Sequence, residues 1–400
     1  MRIEAYRRGD RLLVRPTEAA VDVSAVVAGI IADVAKSGDS ALFAYAERLD
    51  RAKLTSLEVT ALEMDEALSS ISPALRRAMV TAAENIRAFH SAQVREGFCI
   101  RRPDGTYMGQ KITPIDKVGL YIPGGTASYP STVFMNAIPA KIAGCSEIVM
   151  VSPPSASGTI AALAYGTQTV PKVDKIVGPG NAFVAEAKRQ VFGRVNIDMI
   201  AGPSEILVVA DDSCNPKWTA ADLLSQAEHD RLASAVLVTD SAALAQAVSD
   251  EVERQLCALP RQEIARASIE RYGRILVADD LTDAIEAANE LAPEHLELCV
   301  REPERYLPLV RNAGSVFMGC CCPESLGDYL AGPNHTLPTS GTARFSSPLG
   351  VDDFIKKTQY TYFTRDALAQ VADEIAVFAR AEGLEAHARA ALIRMDEGEA

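Results

Sequence analysis

VDKIVGPGNAFVAEAKRQVF (173–192) starts as a short β-rich run, turns at Gly178-Pro179-Gly180-Asn181 and continues with helical spacing of its apolar residues. A strand that feeds a helix through such a turn is the repeating unit of a parallel α/β layer. The same texture extends in both directions. KVGLYIP (117–123) and SEIVMVSPP (146–154) are β-rich runs ended by Gly or Pro, and VNIDMIAGPSEILVVADD (195–212) reads as strand, tight turn, strand. Further on, TAADLLSQAEHDRLA (219–233) and SAALAQAVSDEVERQL (241–256) have helical periodicity. SAVLVTD (234–240), YGRILVADD (272–280) and AGSVFMG (313–319) read as strands. Upstream, AVVAGIIADVAKSG (25–38) and SPALRRAMVTAAENIRAFHSAQ (72–93) are helix patterns, the second opened by Ser72-Pro73. From about residue 350 to the end the chain reads as helical, rich in Ala and Glu, with a polar tail. The expected fold class is α/β.

The chain has 400 residues, of which 48% are hydrophobic and 23% charged, an ordinary globular balance with room for more than one domain. Lys plus Arg number 40 against 53 Asp plus Glu, a formal charge of −13. With no basic surplus to meet phosphates, neither a nucleic acid nor an anionic membrane is expected as a partner. The opening MRIEAYRRGDRLLVRP has no apolar core of signal-peptide length, and no apolar run is long enough to span a bilayer. A cytoplasmic location is expected. Eight cysteines at this length do not suggest a disulfide framework. Cys320, Cys321 and Cys322 are consecutive; adjacent side chains do not easily converge on one ion, and they read as small packing residues.

Four places hold side chains that suit chemistry. In SQAEHD (225–230), Gln226 and His229 are three apart on a helix pattern and share a face, which offers two metal ligands or a solvated polar pair. In GDYLAGPNHTLPT (327–339), Asp328 and His335 sit in a loop of glycines and prolines, either a ligand-approaching loop or a plain surface turn. LAPEHLELCV (291–300) places Glu294 and His295 inside apolar sequence. An imidazole titrates near neutrality, and a carboxylate in apolar surroundings has its pKa raised, so the pair suits proton transfer; a Pro-Glu-His turn opening a helix is the plainer reading. In AEGLEAHARAAL (381–392), Glu382 and His387 lie on or near the tail helix, where a histidine is ordinarily surface. The fifth histidine, His90, has no evident partner. Two glycine-rich turns, YIPGGTASYPST (121–132) and IVGPGNAF (176–183), present backbone N–H groups as anion sites do, though neither matches G-x-G-x-x-G.

YIPGG, AALAYGT, VDKIVGPGN, IAGPSEILV, LLSQAEHD, APEHLEL, ESLGDYLAGPNHTLPT and the Glu/His tail, taken together and in this order, resemble the histidinol dehydrogenase family over nearly the whole chain. The resemblance implies oxidation of L-histidinol to L-histidine through the aldehyde, with two NAD⁺, one zinc per subunit and an intertwined homodimer. It implies two incomplete Rossmann-like domains: 16–120 with 205–349, and a nucleotide-binding-like 121–204. An N-terminal extension (1–15) and a helical tail (350–400) flank them. Carried over by motif, Glu294 and His295 match the catalytic pair, and Gln226, His229, Asp328 and His387 the zinc ligands. Ser131, Ser204, His335 and Glu382 match substrate contacts, and Tyr121 and Asn181 nucleotide contacts. The tail of one subunit is expected to complete the partner's site. A nitrogen-and-oxygen ligand set suits zinc, and also manganese or cobalt.

The chain departs from the family pattern at one place. Relatives usually carry a helix, a strand and an NAD-contacting glutamine between the Pro-Pro after VMVS and AALAYGT. Here Pro153-Pro154 lead directly into SASGTIAALAYGT, with Ser157-Gly158 where the Ala-Gln pair would stand. Loss of a strand leaves unpaired backbone edges. Weakened NAD⁺ binding or an altered cofactor pocket is expected, and calorimetric titration giving ordinary family affinity would refute it. The shortening also motivates two other readings, a dehydrogenase for another small polar alcohol such as a sulfonated diol, or a non-catalytic ligand-binding homologue.

Overall fold

A computed structural model of the chain describes residues 1–9, 22–124, 130–152 and 156–396. Strand β1 (Arg2–Ala5) comes first, then helices Ser24–Ser37, Asp39–Leu49, Ala61–Ser70 and Pro73–Ser91, then β2 (Phe98–Arg101) and β3 (Tyr107–Pro114). A parallel run follows: β4 (Lys117–Tyr121), β5 (Glu147–Val151), β6 (Lys175–Val177) and β7 (Asn196–Ile197), joined by helices Pro130–Ala143, Ala156–Tyr165 and Ala182–Val191. A second run holds β8 (Glu205–Ala210), β9 (Ser234–Thr239), β10 (Arg274–Val277), β11 (His295–Cys299) and β12 (Ser315–Met318). Its principal helices are Pro216–Ala227, Ala242–Leu256, Gln262–Tyr272 and Leu281–Leu291. Strand β13 (Ile355–Tyr362) precedes the terminal helices Arg365–Ala369, Ala372–Ala381 and Glu385–Leu392. No helix among the described residues is long and apolar enough to cross a membrane.

The chain forms two compact units, Met1–Gln93 with Ile115–Phe354, and Val94–Pro114 with Ile355–Ala400. The first unit holds both parallel sheets. Six strands run in the order β1-β10-β9-β8-β11-β12, and four in the order β5-β4-β6-β7. Strands β8 and β11 are buried along their whole length, as strands covered on both faces are; β8 is apolar from Ile206 to Ala210, while β11 alternates His295 and Glu297 with its leucines. Helices Pro216–Ala227, Ala242–Leu256 and Gln262–Tyr272 cover one face of the larger sheet, and Leu281–Leu291 the other. Burying a side chain such as Leu296 or Leu298 there contributes about 1.5–3 kcal/mol.

In the smaller sheet β5 is an edge strand, with Met150 exposed. The sheet itself is continuous, with β4 paired to both β5 and β6. Its two edges are β5 and β7. Helix Ala156–Tyr165 follows, buried from Ser157 to Ala164 under helix Ser24–Ser37; Pro153 and Pro154 lie outside the described residues. The turn after β6 is fixed from within. Gly178 has φ +130°, and a Cβ there would collide with the Tyr121 carbonyl oxygen, so only glycine fits. Lys188 is buried, donates to the Gly178 carbonyl at 3.0 Å and pairs with the buried Asp198, whose other oxygen accepts from the Gly178 N–H at 2.8 Å.

The second unit is an antiparallel sheet in the order β13-β3-β2 with the terminal helices. Residues 350–400 were expected to be helical; Ile355–Tyr362 is instead a strand paired with β3 along its length. Seven of its eight residues are exposed, so it shows no alternation of apolar and polar residues for a sequence reading to find. His90, in the first unit, is buried with Nδ1 2.8 Å from Gln93 Oε1, a structural role.

Candidate active site

Strand β11 begins with a backbone under constraint. Helix Leu281–Leu291 ends at Ala292, a non-glycine residue in the left-handed region at φ 46°. Such a conformation costs on the order of 1 kcal/mol and persists where the surroundings impose it. Pro293, Glu294 and His295 follow at once. The Gly314 N–H donates to the Pro293 carbonyl and the Ser315 N–H to the Glu294 carbonyl, both at 2.9 Å. A Cβ on Gly314 would strike the Glu294 carbonyl, so this close approach also requires glycine.

Both side chains of the pair are buried and gripped by the backbone of one residue on β8. The Glu205 N–H donates to Glu294 Oε2 at 2.9 Å. The Glu205 carbonyl accepts from His295 Nδ1 at 3.0 Å. The neutral ring therefore carries its hydrogen on Nδ1 and offers a lone pair at Nε2. That Nε2 is buried without a hydrogen-bond partner among the described residues, 3.8 Å from Asp328 Oδ1. Phe317 stacks on the imidazole with ring centroids 5.9 Å apart. Burial disfavours charge on His295, but the Glu294 and Asp328 carboxylates outweigh it and raise the ring to about 10. Burial raises Glu294 to about 8 against the opposing pull of His295. With both members raised, the pair retains a proton through neutral pH.

The helix expected over 219–233 closes at Ala227, opened by Asn215 capping the Lys217 N–H and by Pro216. His229 thus lies in the turn beyond the helix and is exposed. Its N–H still donates to the Gln226 carbonyl at 3.2 Å, which keeps the two residues one turn apart. The Gln226 amide nitrogen stands 3.3 Å from His295 Nδ1, while its Oε1 is buried without a hydrogen-bond partner among the described residues. Asp328, on helix Glu324–Tyr329, completes a group with His229 and Glu324 whose ligand atoms all lie within 4.8 Å of one another. An orphaned amide oxygen beside an imidazole and carboxylates is the setting a divalent cation satisfies.

His335 Nδ1 lies 3.1 Å from the Asp328 carbonyl and its Nε2 3.4 Å from Thr132 Oγ1. Ser131, half-buried, precedes Thr132 in the first turn of helix Pro130–Ala143. Ser204 is half-buried immediately before β8. Helix Pro130–Ala143 follows β4, so His335 links the carboxyl end of the small sheet to the amino end of the large one, where Glu294 and His295 sit. Tyr121 is the buried last residue of β4. Asn181 follows β6 and caps the N-terminus of helix Ala182–Val191 through the Phe183 and Val184 N–H groups. The chain order of the small sheet reverses between β4 and β6, and the carboxyl ends at such a reversal are the usual ligand crevice of open α/β sheets. Residues 125–129 of the glycine-rich turn after β4 lie outside the described residues. Glu382 and His387 belong to the second unit, both exposed, at the end of helix Ala372–Ala381 and on helix Glu385–Leu392.

Sequence reasoning missed Glu205, which acts through its backbone, and Glu324. Glu324 is buried, accepts from Ser225 Oγ at 2.7 Å, and is raised to about 7 by burial and by Asp328. Its spacing of four from Asp328 on one helix was the available signal.

The chain matches the profile of the histidinol dehydrogenase family over residues 13–160 and 157–395. The two matched stretches meet beside the shortened connection. Histidinol dehydrogenase of Geobacillus kaustophilus is 51% identical over 424 aligned positions covering all of both chains, and that of Bacillus subtilis 49% identical over 97% of each. The crystal structure of histidinol dehydrogenase from Elizabethkingia anophelis is 37% identical and superposes with a TM-score of 0.94 over 99% of this chain and 98% of that one.

Proposed function

The chain belongs to the histidinol dehydrogenase family, and we propose that it oxidises L-histidinol to L-histidine through L-histidinaldehyde, using zinc and two NAD⁺. The observation that supports this reading most is the convergence of Glu294, His295, Gln226, Asp328 and His335 at one end of β11, with Gln226 Oε1 and His295 Nε2 both buried and unsatisfied among the described residues. Gln226, His229 and Asp328 would hold zinc, with His387 from a second copy of the chain. The bound ion supplies a fixed anchor for the imidazole and amine of the substrate. NAD⁺ would supply the hydride acceptor for both oxidations; the position of Tyr121 and Asn181 after β4 and β6, at the reversal of the small sheet, supports their contact with it.

The residues divide the proton work. His295 Nε2 accepts the hydroxyl proton as the first hydride leaves, while the Glu205 carbonyl holds the opposite edge of the ring. A cation held at Asp328 would offset the carboxylate that raises His295 and favour the neutral, proton-accepting ring. Glu294 removes a proton from water so that it adds to the aldehyde, and His295 then takes the hydroxyl proton of the hydrate during the second oxidation. Ser131, Ser204, His335 and Glu382 position the substrate. The apolar walls around β11 limit bulk water at the aldehyde stage. The relatives are named for histidinol, and neither a sulfonated diol nor a non-catalytic role draws support from them.

An NADH-formation assay tests the whole reading: histidinol supports turnover, a sulfonated diol does not, and a chelator abolishes the signal. Turnover on the diol alone, or none on either substrate, overturns it. His229→Asn is expected to lower bound zinc by about 10- to 100-fold in affinity; elemental analysis showing an unchanged content removes it from the ligand set. We further propose a homodimer with shared sites. The tail helices support it, since Val377, Phe378 and Ile393 are 67%, 74% and 65% exposed, an apolar surface suited to a second copy. His387→Asn subunits mixed with Glu294→Gln subunits then regain part of the activity that each lacks alone. Verified mixed dimers without that gain would exclude shared sites.

A further inference from the structure

The large sheet carries another cluster of reactive side chains at the end opposite Glu294 and His295. Along this sheet the chain steps from β8 to β9 and β10 on one side, and from β11 to β12 on the other. The reversal falls between β8 and β11, and the carboxyl ends of the strands at that point form the usual ligand crevice. Three cysteines occupy it: Cys214 follows β8, Cys299 is the last residue of β11, and Cys320 follows β12.

Their Sγ atoms all lie within 4.8 Å of one another, with 3.9 Å between Cys214 and Cys320. None is in a disulfide, whose sulfurs would stand only about 2.05 Å apart. Thiolates bound tetrahedrally to one zinc at about 2.3 Å are roughly 3.8 Å from each other; the Cys214–Cys320 separation matches such an edge, and Cys299 lies within reach of the same ion. Cys214 and Cys299 are 5% and 4% exposed, and Cys320 is half-buried, which leaves one path to solvent. Thr219 Oγ1 lies 3.1 Å from Cys214 Sγ and can donate to a thiolate there. Glu297 Oε2, 3.7 Å from Cys299 Sγ, adds an acceptor that favours a cation.

We infer that Cys214, Cys299 and Cys320 form a thiolate site for one thiophilic d¹⁰ cation such as zinc, distinct from the Gln226–His229–Asp328 position. Cys299 is the last residue of β11, whereas His295, beside Gln226, is its first, and only the new site offers sulfur. Binding replaces three thiol protons with one ion and ties together the ends of three strand connections. The consecutive cysteines concealed this in the sequence: Cys320 converges with partners distant in the chain, not with Cys321 or Cys322.

Cadmium titration of the reduced, metal-stripped, full-length protein reads the site directly. The ultraviolet thiolate-to-cadmium charge-transfer band is expected to saturate at one equivalent, and the oxygen-and-nitrogen site adds nothing to it. Cys320→Ala, at a half-buried position, should keep the native circular dichroism and histidinol turnover while cadmium affinity at this band falls at least tenfold. Cys321→Ala should leave the band intact. Absence of the band in the unmodified protein, its persistence in a folded Cys320→Ala variant, or its loss in Cys321→Ala overturns the assignment. The readout is independent of the proposed reaction, so its failure leaves that reading standing, and the reverse holds.

Discussion

His295→Asn lowers turnover by about 10²- to 10⁴-fold, the usual contribution of a positioned general base, while histidinol still binds. Asparagine keeps a polar group near the Glu205 carbonyl but has no titrating nitrogen at the position of Nε2. That nitrogen has no hydrogen-bond partner among the described residues, so the loss falls on kcat more than on KM. Glu294→Gln retains an acceptor for the Glu205 N–H and removes only the carboxylate. Under the proposed division of labour it slows the aldehyde half-reaction more than the alcohol half-reaction. Single-turnover measurement with histidinol and with histidinaldehyde separates the two. Near-normal kcat in His295→Asn, or equal slowing of both halves in Glu294→Gln, would contradict the roles assigned.

Lys188→Met is expected to cost about 3–5 kcal/mol, because it strands the buried Asp198 carboxylate without its counter-charge. Against a typical total of about 5–15 kcal/mol this is a large fraction of the stability. The loss also reaches the β4–β6 crevice of the small sheet. Lys188 and Asp198 between them hold the Gly178 carbonyl and N–H, and Gly178 lies against the Tyr121 backbone at the β4–β6 crevice. Denaturant unfolding gives the stability change, and the double variant Lys188→Met/Asp198→Asn should recover much of it, since no unpaired charge remains. A single variant within about 1 kcal/mol of the parent would mean that water reaches Asp198 and the pair is not closed.

Much of the architecture follows from local signals. Glycine- and proline-ended β runs alternate with helical periodicity, and these marked β4 to β10 and β12; β11, within LAPEHLELCV, read instead as a turn opening a helix. The start of helix Pro73–Ser91 was legible because Ser72-Pro73 is a capping pair; Asn215 and Pro216 open helix Pro216–Ala227 in the same way, three residues before the expected start. Where the local signal was misleading, a specific interaction decided. The helical pattern continues through His229, but the helix stops at Ala227. Strand β13 has no buried face, so only its pairing with β3 defines it.

By itself the sequence determined most strands and helices of the parallel α/β layers and, through its unusual strings, the family. Periodicity and turn chemistry are properties of neighbours along the chain, so they can be read without knowing the fold. Tertiary structure alone decided that backbone atoms of Glu205 clamp both Glu294 and His295, that Glu324 joins His229 and Asp328, and that three distant cysteines meet at the far end of the same sheet. Those meetings depend on strand order and register, with β11 placed between β8 and β12, and long-range packing rather than local preference sets that order.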